Sequence, residues 1–191
     1  MRHGRTETNA AGLLLGRADP PLDDVGRAQV EAVVSRLGSE ASMIVSSPLR
    51  RARETAAMLA AGSGADIVID ERWIELDYGA FEGVPFGDVP ADVWEQWRAD
   101  PSYAPPDGES LGSLAVRVAD ACESLVDAAR AGEVVVVTHV SPIKAAVAWA
   151  LGVGVAISWR MYVAPASITR IDVGPRGPSL RSFNECPWET R

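Results

Sequence analysis

The chain of 191 residues is poor in the residues on which several classes of protein depend. Its two cysteines, Cys122 and Cys186, are too few for a disulfide framework and too far apart in the sequence for a close metal-binding pair. Only two histidines are present, and the sequence contains neither an HxxxH metal motif nor a phosphate-binding P-loop. We therefore expect two free thiols, no metal and no cofactor.

The chain also lacks long apolar runs and an excess of basic residues. No apolar stretch approaches the roughly 18 residues that span a bilayer, and the N-terminus lacks the charged-then-apolar order of a signal peptide. The formal net charge of −8 disfavours nucleic acid and anionic membranes as partners, because these polyanions require a basic face. We expect a cytoplasmic protein with no nucleic-acid and no membrane partner.

Hydrophobic residues make up 47% of the chain, and their spacing alternates between strand and helix types. This alternation predicts one α/β domain over residues 1–191, a three-layer α/β/α sandwich with a mostly parallel central sheet. Helices are predicted over 23–38 with Gly38 as a left-handed cap, from Ser47-Pro48 to 61, over 90–99, from Ser110 to Gly132, and from Pro142 onward. Strands are predicted over 43–45, 67–69 and 134–137, with a terminal hairpin over 166–173 and 179–184. Residues 72–110 are predicted to form a small insertion over the active site.

Both histidines lie at positions that favour a function. His139 follows the strongest predicted strand and precedes a predicted helix, at the edge of the sheet where open α/β folds bind ligands. His3 lies in Arg2-His3-Gly4, where the glycine permits a tight turn. A lone histidine is usually structural, but two at strand-to-loop junctions, accompanied by arginine-rich helix starts, indicate a site.

Several segments, in order along nearly the whole chain, resemble the histidine phosphatase, or phosphoglycerate mutase-like, superfamily. They are Arg2-His3-Gly4 with Asn9, Leu22 to Gln29, Ser46 to Ala56, Glu75 to Gly83, Gly108-Glu109-Ser110, and Val137-Thr138-His139. The resemblance implies a phosphatase that hydrolyses a phosphomonoester of a small metabolite. It places the second phosphate-binding arginine at Arg51 and the acid at Glu75, although Asp77 and Glu82 are close enough in sequence to take over that role.

The residue types fit this chemistry. Two guanidinium groups, those of Arg2 and Arg51, can bind phosphoryl oxygens bidentately. Neutral imidazole is a good nucleophile toward phosphorus, so His3 can form a phosphohistidine and divide the displacement into two easier steps. His139, just before a helix N-terminus, would stabilise transition-state charge.

The remaining candidates have smaller roles. Glu75 would give a proton to the leaving alkoxide and recover it from water. Asn9 and Thr6 are candidate phosphate ligands, as is Ser141 through its amide or hydroxyl. Trp94, Trp97 and Tyr103 are candidates for the leaving-group pocket, with ordinary core packing as the alternative.

Two features depart from the family pattern. After the second histidine the order is Val140-Ser141-Pro142-Ile143-Lys144 in place of glycines, which resembles a subgroup of actinobacterial acid phosphatase domains, some fused behind a ribonuclease H domain, and alpha-ribazole phosphatase-like members. The central apolar strand that the family has before the Arg-His-Gly turn is represented only by Met1. A missing strand would leave ladder groups unpaired and the nucleophile loosely placed.

Two other functions stay open at this point. A phosphoglycerate mutase-type enzyme would return the phosphoryl group to another hydroxyl, but the modest insertion at 72–110 favours access of water and hydrolysis. A catalytically dead module that binds a phosphorylated ligand is the alternative outside the enzymes. Alpha-ribazole phosphate, sugar phosphates and phosphoglycerates all remain candidate substrates, and a homodimer is neither required nor excluded.

Overall fold

The computed structural model describes residues 1–37 and 41–189. The helices are α1 (Glu7–Ala10), α2 (Asp24–Leu37), α3 (Arg50–Ser63), α4 (Ala91–Ala99), α5 (Leu111–Ala131) and α6 (Val140–Leu151). The strands are β1 (Ala41–Ser46), β2 (Ile67–Ile69), β3 (Glu133–Val137), β4 (Ile168–Gly174) and β5 (Gly177–Glu185). Short 3-10 helices cover Glu71–Trp73, Gly79–Phe81 and Val155–Arg160.

The central sheet is parallel, in the order β2-β1-β3, and β4 and β5 form an antiparallel pair. Successive side chains of β1 point to opposite faces, so Ile44 packs into one core and Val45 into the other. Helices α2 and α3 cover the first face with Val30, Val33 and side chains of α3, whereas α5 and α6 cover the second. The predicted α/β fold with helices on both faces of a parallel sheet is therefore confirmed.

Residues 1–3 continue the sheet beyond β3. The amide of Thr138 donates to the Met1 carbonyl and the amide of His3 to the Thr138 carbonyl, both at 3.0 Å. On the other side, the Arg2 amide donates to Ser167 and the Ala166 amide to the His3 carbonyl, at 3.0 and 2.9 Å. The backbone that carries His3 is thus bonded on both sides, so the expectation that it is loosely placed is wrong.

Two predicted helix starts are wrong for reasons that bear on the site. Helix α3 begins at Arg50 with no side-chain cap, because the Ser47 hydroxyl bonds to His139. Helix α6 begins at Val140, two residues before Pro142, with His139 as its N-cap. Ser110 does cap α5, since its hydroxyl accepts the Ser113 amide. The proposed cap at Gly38 lies outside the described residues.

Residues 72–110, for which an insertion is predicted, contain the 3-10 helix Gly79–Phe81 and α4, and they contribute aromatic side chains to the main cavity. Both cysteines are free thiols, with Cys122 buried in the core under α5. Among the described residues, no helix combines the length and apolarity needed to cross a bilayer.

Candidate active site

His3 lies at the end of the sheet with its ring held by its own turn. Its Nδ1 atom is 2.7 Å from the Gly4 carbonyl oxygen, which can only accept, so Nδ1 carries the proton. A side chain at Gly4 would have no room, because its Cβ would lie 2.6 Å from the Gly26 oxygen. The chain therefore folds tightly after His3 and leaves Nε2 unprotonated.

Arg51 joins the two histidines. Its Nε–H points to His3 Nε2 at 3.3 Å and to His139 Nδ1 at 3.2 Å. Its two terminal nitrogens donate to the carbonyls of Ala18 and Gly16, at 2.6 and 2.8 Å. These contacts anchor a guanidinium group with no solvent exposure on the first turn of α3.

His139 holds the opposite tautomer from His3. Because its Nδ1 accepts from Arg51, its proton resides on Nε2, which donates to the Ser47 hydroxyl at 2.7 Å. The ring centroids of the two histidines are 5.0 Å apart. The sheet thus brings together two imidazoles whose sequence separation is 136 residues.

Burial keeps both imidazoles neutral. It lowers the pKa of His3 well below its ordinary value of 6.5, and the charges of Arg51 and Arg2 lower it further. The pKa of His139 is likewise lowered, by burial first and then by Arg51. Burial also lowers the pKa of Arg51 to about 10, which still leaves the guanidinium charged at neutral pH.

The Glu75 carboxylate faces the N-terminus of α6. It accepts the amides of Leu76 at 2.7 Å, Val140 at 3.0 Å and Ser141 at 3.1 Å. Pro142, the next residue, has no amide to offer. The Ser141 amide proposed as a phosphate contact is therefore directed at Glu75 in this structure.

Arg117, which the sequence analysis missed, fixes the segment that carries Glu75. Its guanidinium group donates to the carbonyls of Arg72, Ile74 and Glu75 at 2.6, 2.8 and 3.3 Å. It also forms a two-pronged ion pair with Glu109, at 2.7 and 2.8 Å. The Gly108-Glu109-Ser110 motif is thereby explained, since Glu109 holds Arg117 and Ser110 caps α5.

The three remaining candidates have different environments. Arg2 donates to the Val163 carbonyl at 2.7 Å, and its Nε is buried without a partner among the described residues. The Thr6 hydroxyl accepts the Asn9 amide and the Asn9 side-chain oxygen accepts the Thr6 amide, both at 3.2 Å, as a capping box of α1. Asn9 can therefore offer its NH2 group to a ligand, whereas Thr6 is fully buried.

A cavity of about 410 Å³ opens beside His3. Five of the candidate residues lie in its wall: Arg2, His3, Asn9, Glu75 and Ser141. The other three, Thr6, Arg51 and His139, are buried and do not line it. The distal part is aromatic, and it includes Trp94 and Trp97 but not Tyr103, which packs edge-on against Trp97.

Of the three carboxylates that are candidates for the acid, one lines the cavity. Glu75 lies in the wall, whereas Glu82 accepts the amides of Gly16 and Arg17 at 2.9 and 3.0 Å, and Asp77 accepts that of Gly79 at 2.9 Å.

Within residues 1–37 and 41–189, no three His, Cys, Asp or Glu side chains are grouped as a metal site would require.

Comparison with known proteins gives a consistent picture. A family model described as the histidine phosphatase superfamily (branch 1) matches residues 1–186. A bifunctional protein of Mycobacterium tuberculosis is 34% identical over 191 residues, which cover 97% of this chain and 52% of that protein. The chain therefore spans about half the length of that relative.

Two solved structures resemble this one over nearly its full length. A mycobacterial glucosyl-3-phosphoglycerate phosphatase, determined with VO3, has a TM-score of 0.87 at 29% identity, covering 96% of each chain. A mutant phosphoserine phosphatase of Entamoeba histolytica, in complex with phosphoserine, also has a TM-score of 0.87, at 26% identity, covering 96% of this chain and 93% of that one.

Proposed function

The chain belongs to the histidine phosphatase superfamily, and from this premise we propose that it hydrolyses a phosphomonoester of a small metabolite through a phosphohistidine on His3. The observation that carries the proposal is the state of His3. Its Nδ1 proton is bound by the Gly4 carbonyl, so Nε2 carries the lone pair, beside a cavity, and this lone pair accepts the Arg51 Nε–H at 3.3 Å until a substrate takes that donor.

Two balanced steps follow from this arrangement. In the first, the Nε2 lone pair of His3 attacks phosphorus while the bond to the ester oxygen breaks. The leaving oxygen takes a proton that the Glu75 carboxylate has acquired from solvent beside the bound dianion. In the second, water attacks the phosphohistidine, returns a proton to Glu75 and releases inorganic phosphate. The position of Glu75 in the cavity wall, and the engagement of Glu82 and Asp77 elsewhere, support this assignment.

Positive charge for the phosphoryl oxygens would come from two arginines. The unpartnered buried Nε of Arg2 is a donor without an acceptor, and a phosphoryl oxygen would supply one. Arg51 would turn its Nε–H from the two imidazoles to the same group. The dianion would then raise the pKa of His139, and the ring, protonated from solvent, would donate a hydrogen bond from Nδ1 to a phosphoryl oxygen.

The same features favour an acid phosphatase-type hydrolase that needs no metal. Because burial lowers the pKa of His3, the nucleophile stays unprotonated at mildly acidic pH, where many imidazoles are already charged. The arginines supply the charge stabilisation that a metal ion would otherwise provide. VO3 is bound in the mycobacterial structure, and we extend the binding of such a phosphate-like anion to this chain.

The test is phosphate release from p-nitrophenyl phosphate and from a panel of phosphorylated metabolites between pH 5 and 7.5, with and without chelator. We expect His3→Ala to lower kcat/KM by at least about 10³-fold, while chelator has no effect. Arg53→Ala is the matched control, because this neighbour of the anchor arginine is exposed on α3. Acid quenching should trap one phosphoryl group on the peptide that contains His3.

Other outcomes identify the rival functions. Isomerisation of a phosphoglycerate without release of phosphate would establish a mutase. A folded wild-type chain that binds phosphate esters but neither turns them over nor traps a phosphohistidine would be a binding module. Activity lost on chelation and restored by a divalent metal would contradict the metal-free mechanism.

A further inference from the structure

Of the 18 basic residues in the chain, 17 are arginine and one, Lys144, is lysine. That single lysine lies in the wall of the main cavity. It follows Ser141 by three residues on α6, so the two side chains share the helix face that lines the cavity. Lys144 is half-buried, as is common for a long side chain whose stem can cover apolar surface.

Lys144 differs from the other cations of the wall in having no ion-pair or hydrogen-bond partner among the described residues. Arg5 is paired with Asp23 at 2.8 Å, and Arg2 donates to the Val163 carbonyl. None of the ion pairs between described residues includes Lys144. Glu75 is near enough to favour the charged amine, but its oxygens are already occupied by three backbone amides.

The groups around Lys144 limit what it can bind. Burial lowers its pKa, with an opposing contribution from Glu75 and a smaller lowering by Arg2. An anion placed beside it would relieve the cost of burying an unpaired charge. Lys144 stands on the side of Ser141 away from His139, one helical turn farther along α6. Because Arg2 and Arg51 are the proposed ligands of the phosphoryl oxygens, we assign an anion at Lys144 to the leaving group.

The wall beyond the candidate phosphate site is largely aromatic. Half of the twelve aromatic side chains of the chain line this one cavity: Tyr78, Phe86, Trp94, Trp97, Trp159 and Tyr162. Phe86 and Trp94 stack at 6.4 Å with an interplanar angle of 14°, and Trp159 meets Trp94 edge-on at 6.0 Å. Such a surface favours a flat apolar body and disfavours a second dianion.

From these observations we propose that Lys144 binds a carboxylate of the leaving group, so that the preferred substrates are phosphomonoesters of small, partly apolar alcohols or phenols that carry one carboxylate. This inference rests on the proposed phosphatase function. The single charge of Lys144 balances a carboxylate, whereas a second phosphate dianion would leave a negative charge against the aromatic wall. The selectivity of the site then depends on one charge.

The test compares phenyl phosphate with its 2-, 3- and 4-carboxyphenyl analogues, which differ only in the carboxylate. We expect the wild type to prefer at least one carboxylated ester. Lys144→Met, which keeps the length of the stem, should lower kcat/KM for that ester about 10- to 100-fold and for phenyl phosphate less than about threefold. Lys144→Arg should restore most of the preference.

Arg130→Met is the matched control, because it removes an exposed charge at the far end of α5 from the cavity. Equal losses for both esters in Lys144→Met would show that the lysine serves the phosphoryl group or the fold, and would overturn the proposal. Unchanged selectivity would overturn it as well.

Binding affinities test the lysine site separately from the proposed phosphatase function. The His3→Ala variant cannot form the phosphohistidine, so calorimetry can measure its affinity for each intact ester. If His3→Ala binds the carboxylated ester more tightly and His3→Ala/Lys144→Met does not, the lysine site is supported, whether or not the wild type releases phosphate. Failure of the wild type to release phosphate would refute the phosphatase function alone. Equal affinities for both esters would refute the lysine site alone.

Discussion

Mild acid should destabilise the fold through the two histidines of the site. His3 and His139 are 2% and 0% exposed, and their pKa values are lowered well below 6.5 in the folded chain. In the unfolded chain each imidazole titrates near 6.5. The stabilisation is therefore fully present above pH 6.5 and is lost as the pH falls, because the unfolded state takes up protons that the folded state does not. Between pH 7.5 and 5.5 the loss is about 1.4 kcal/mol for each histidine, or about 2.7 kcal/mol together.

Urea unfolding at pH 7.5, 6.5 and 5.5 measures this loss. His3→Gln and His139→Gln should each remove about half of the contribution, and comparison with the wild type at each pH cancels the titration of all other groups. Variants that lose as much stability as the wild type over this range would refute the reasoning. Nitrogen NMR gives a second check: His3 should show a proton on Nδ1 and His139 one on Nε2, and neither ring should titrate over this range.

Two further substitutions test how the site is held. Ser47→Ala should leave the Nε2 proton of His139 without an acceptor, which should lower the free energy of unfolding by about 1–3 kcal/mol and slow phosphate release. Ser46→Ala is the control. It removes a buried hydroxyl that donates to a carbonyl, so it should lower stability without changing the rate of phosphate release. Gly26→Ala should cost several kcal/mol in thermal or urea unfolding, because its Cβ would lie 2.1 Å from a backbone oxygen of the turn after the first histidine, whereas Gly87→Ala, with open space around it, should be neutral.

The arrangement of helices and strands could be predicted because hydrophobic periodicity reports burial directly. Met43 to Val45 in β1 and Val134 to Val137 in β3 are uninterrupted apolar runs, as expected for a sheet covered on both faces. The long helix α5 keeps one apolar stripe from Leu111 to Leu125. The helix starts were less predictable. Ser47 carries a strong local signal for a cap, but a hydroxyl can make a tertiary bond instead, and here it makes one with His139.

In the candidate site too, residues that lie in sequence motifs could be predicted, whereas a residue that acts through tertiary contacts could not. The motifs name His3, Arg51, Glu75 and His139, and the structure brings their segments together. Sequence gives no comparable signal for Arg117, because its role depends on carbonyls more than forty residues away. The partners of a backbone carbonyl are set by the packing of α5 against the insertion, which periodicity does not report.

A chain of contacts links the surface acids to the nucleophile, and it explains how an acidic protein keeps a cationic site. Glu82 binds the amides of Gly16 and Arg17, which shapes a loop whose carbonyls at Gly16 and Ala18 hold the terminal nitrogens of Arg51. With both terminal nitrogens held by these carbonyls, the Arg51 Nε–H lies against the two imidazoles. The net charge of −8 therefore does not prevent anion binding at the site. Carboxylates such as Glu82 accept hydrogen bonds from backbone amides, and the wall of the cavity contains arginine and lysine side chains.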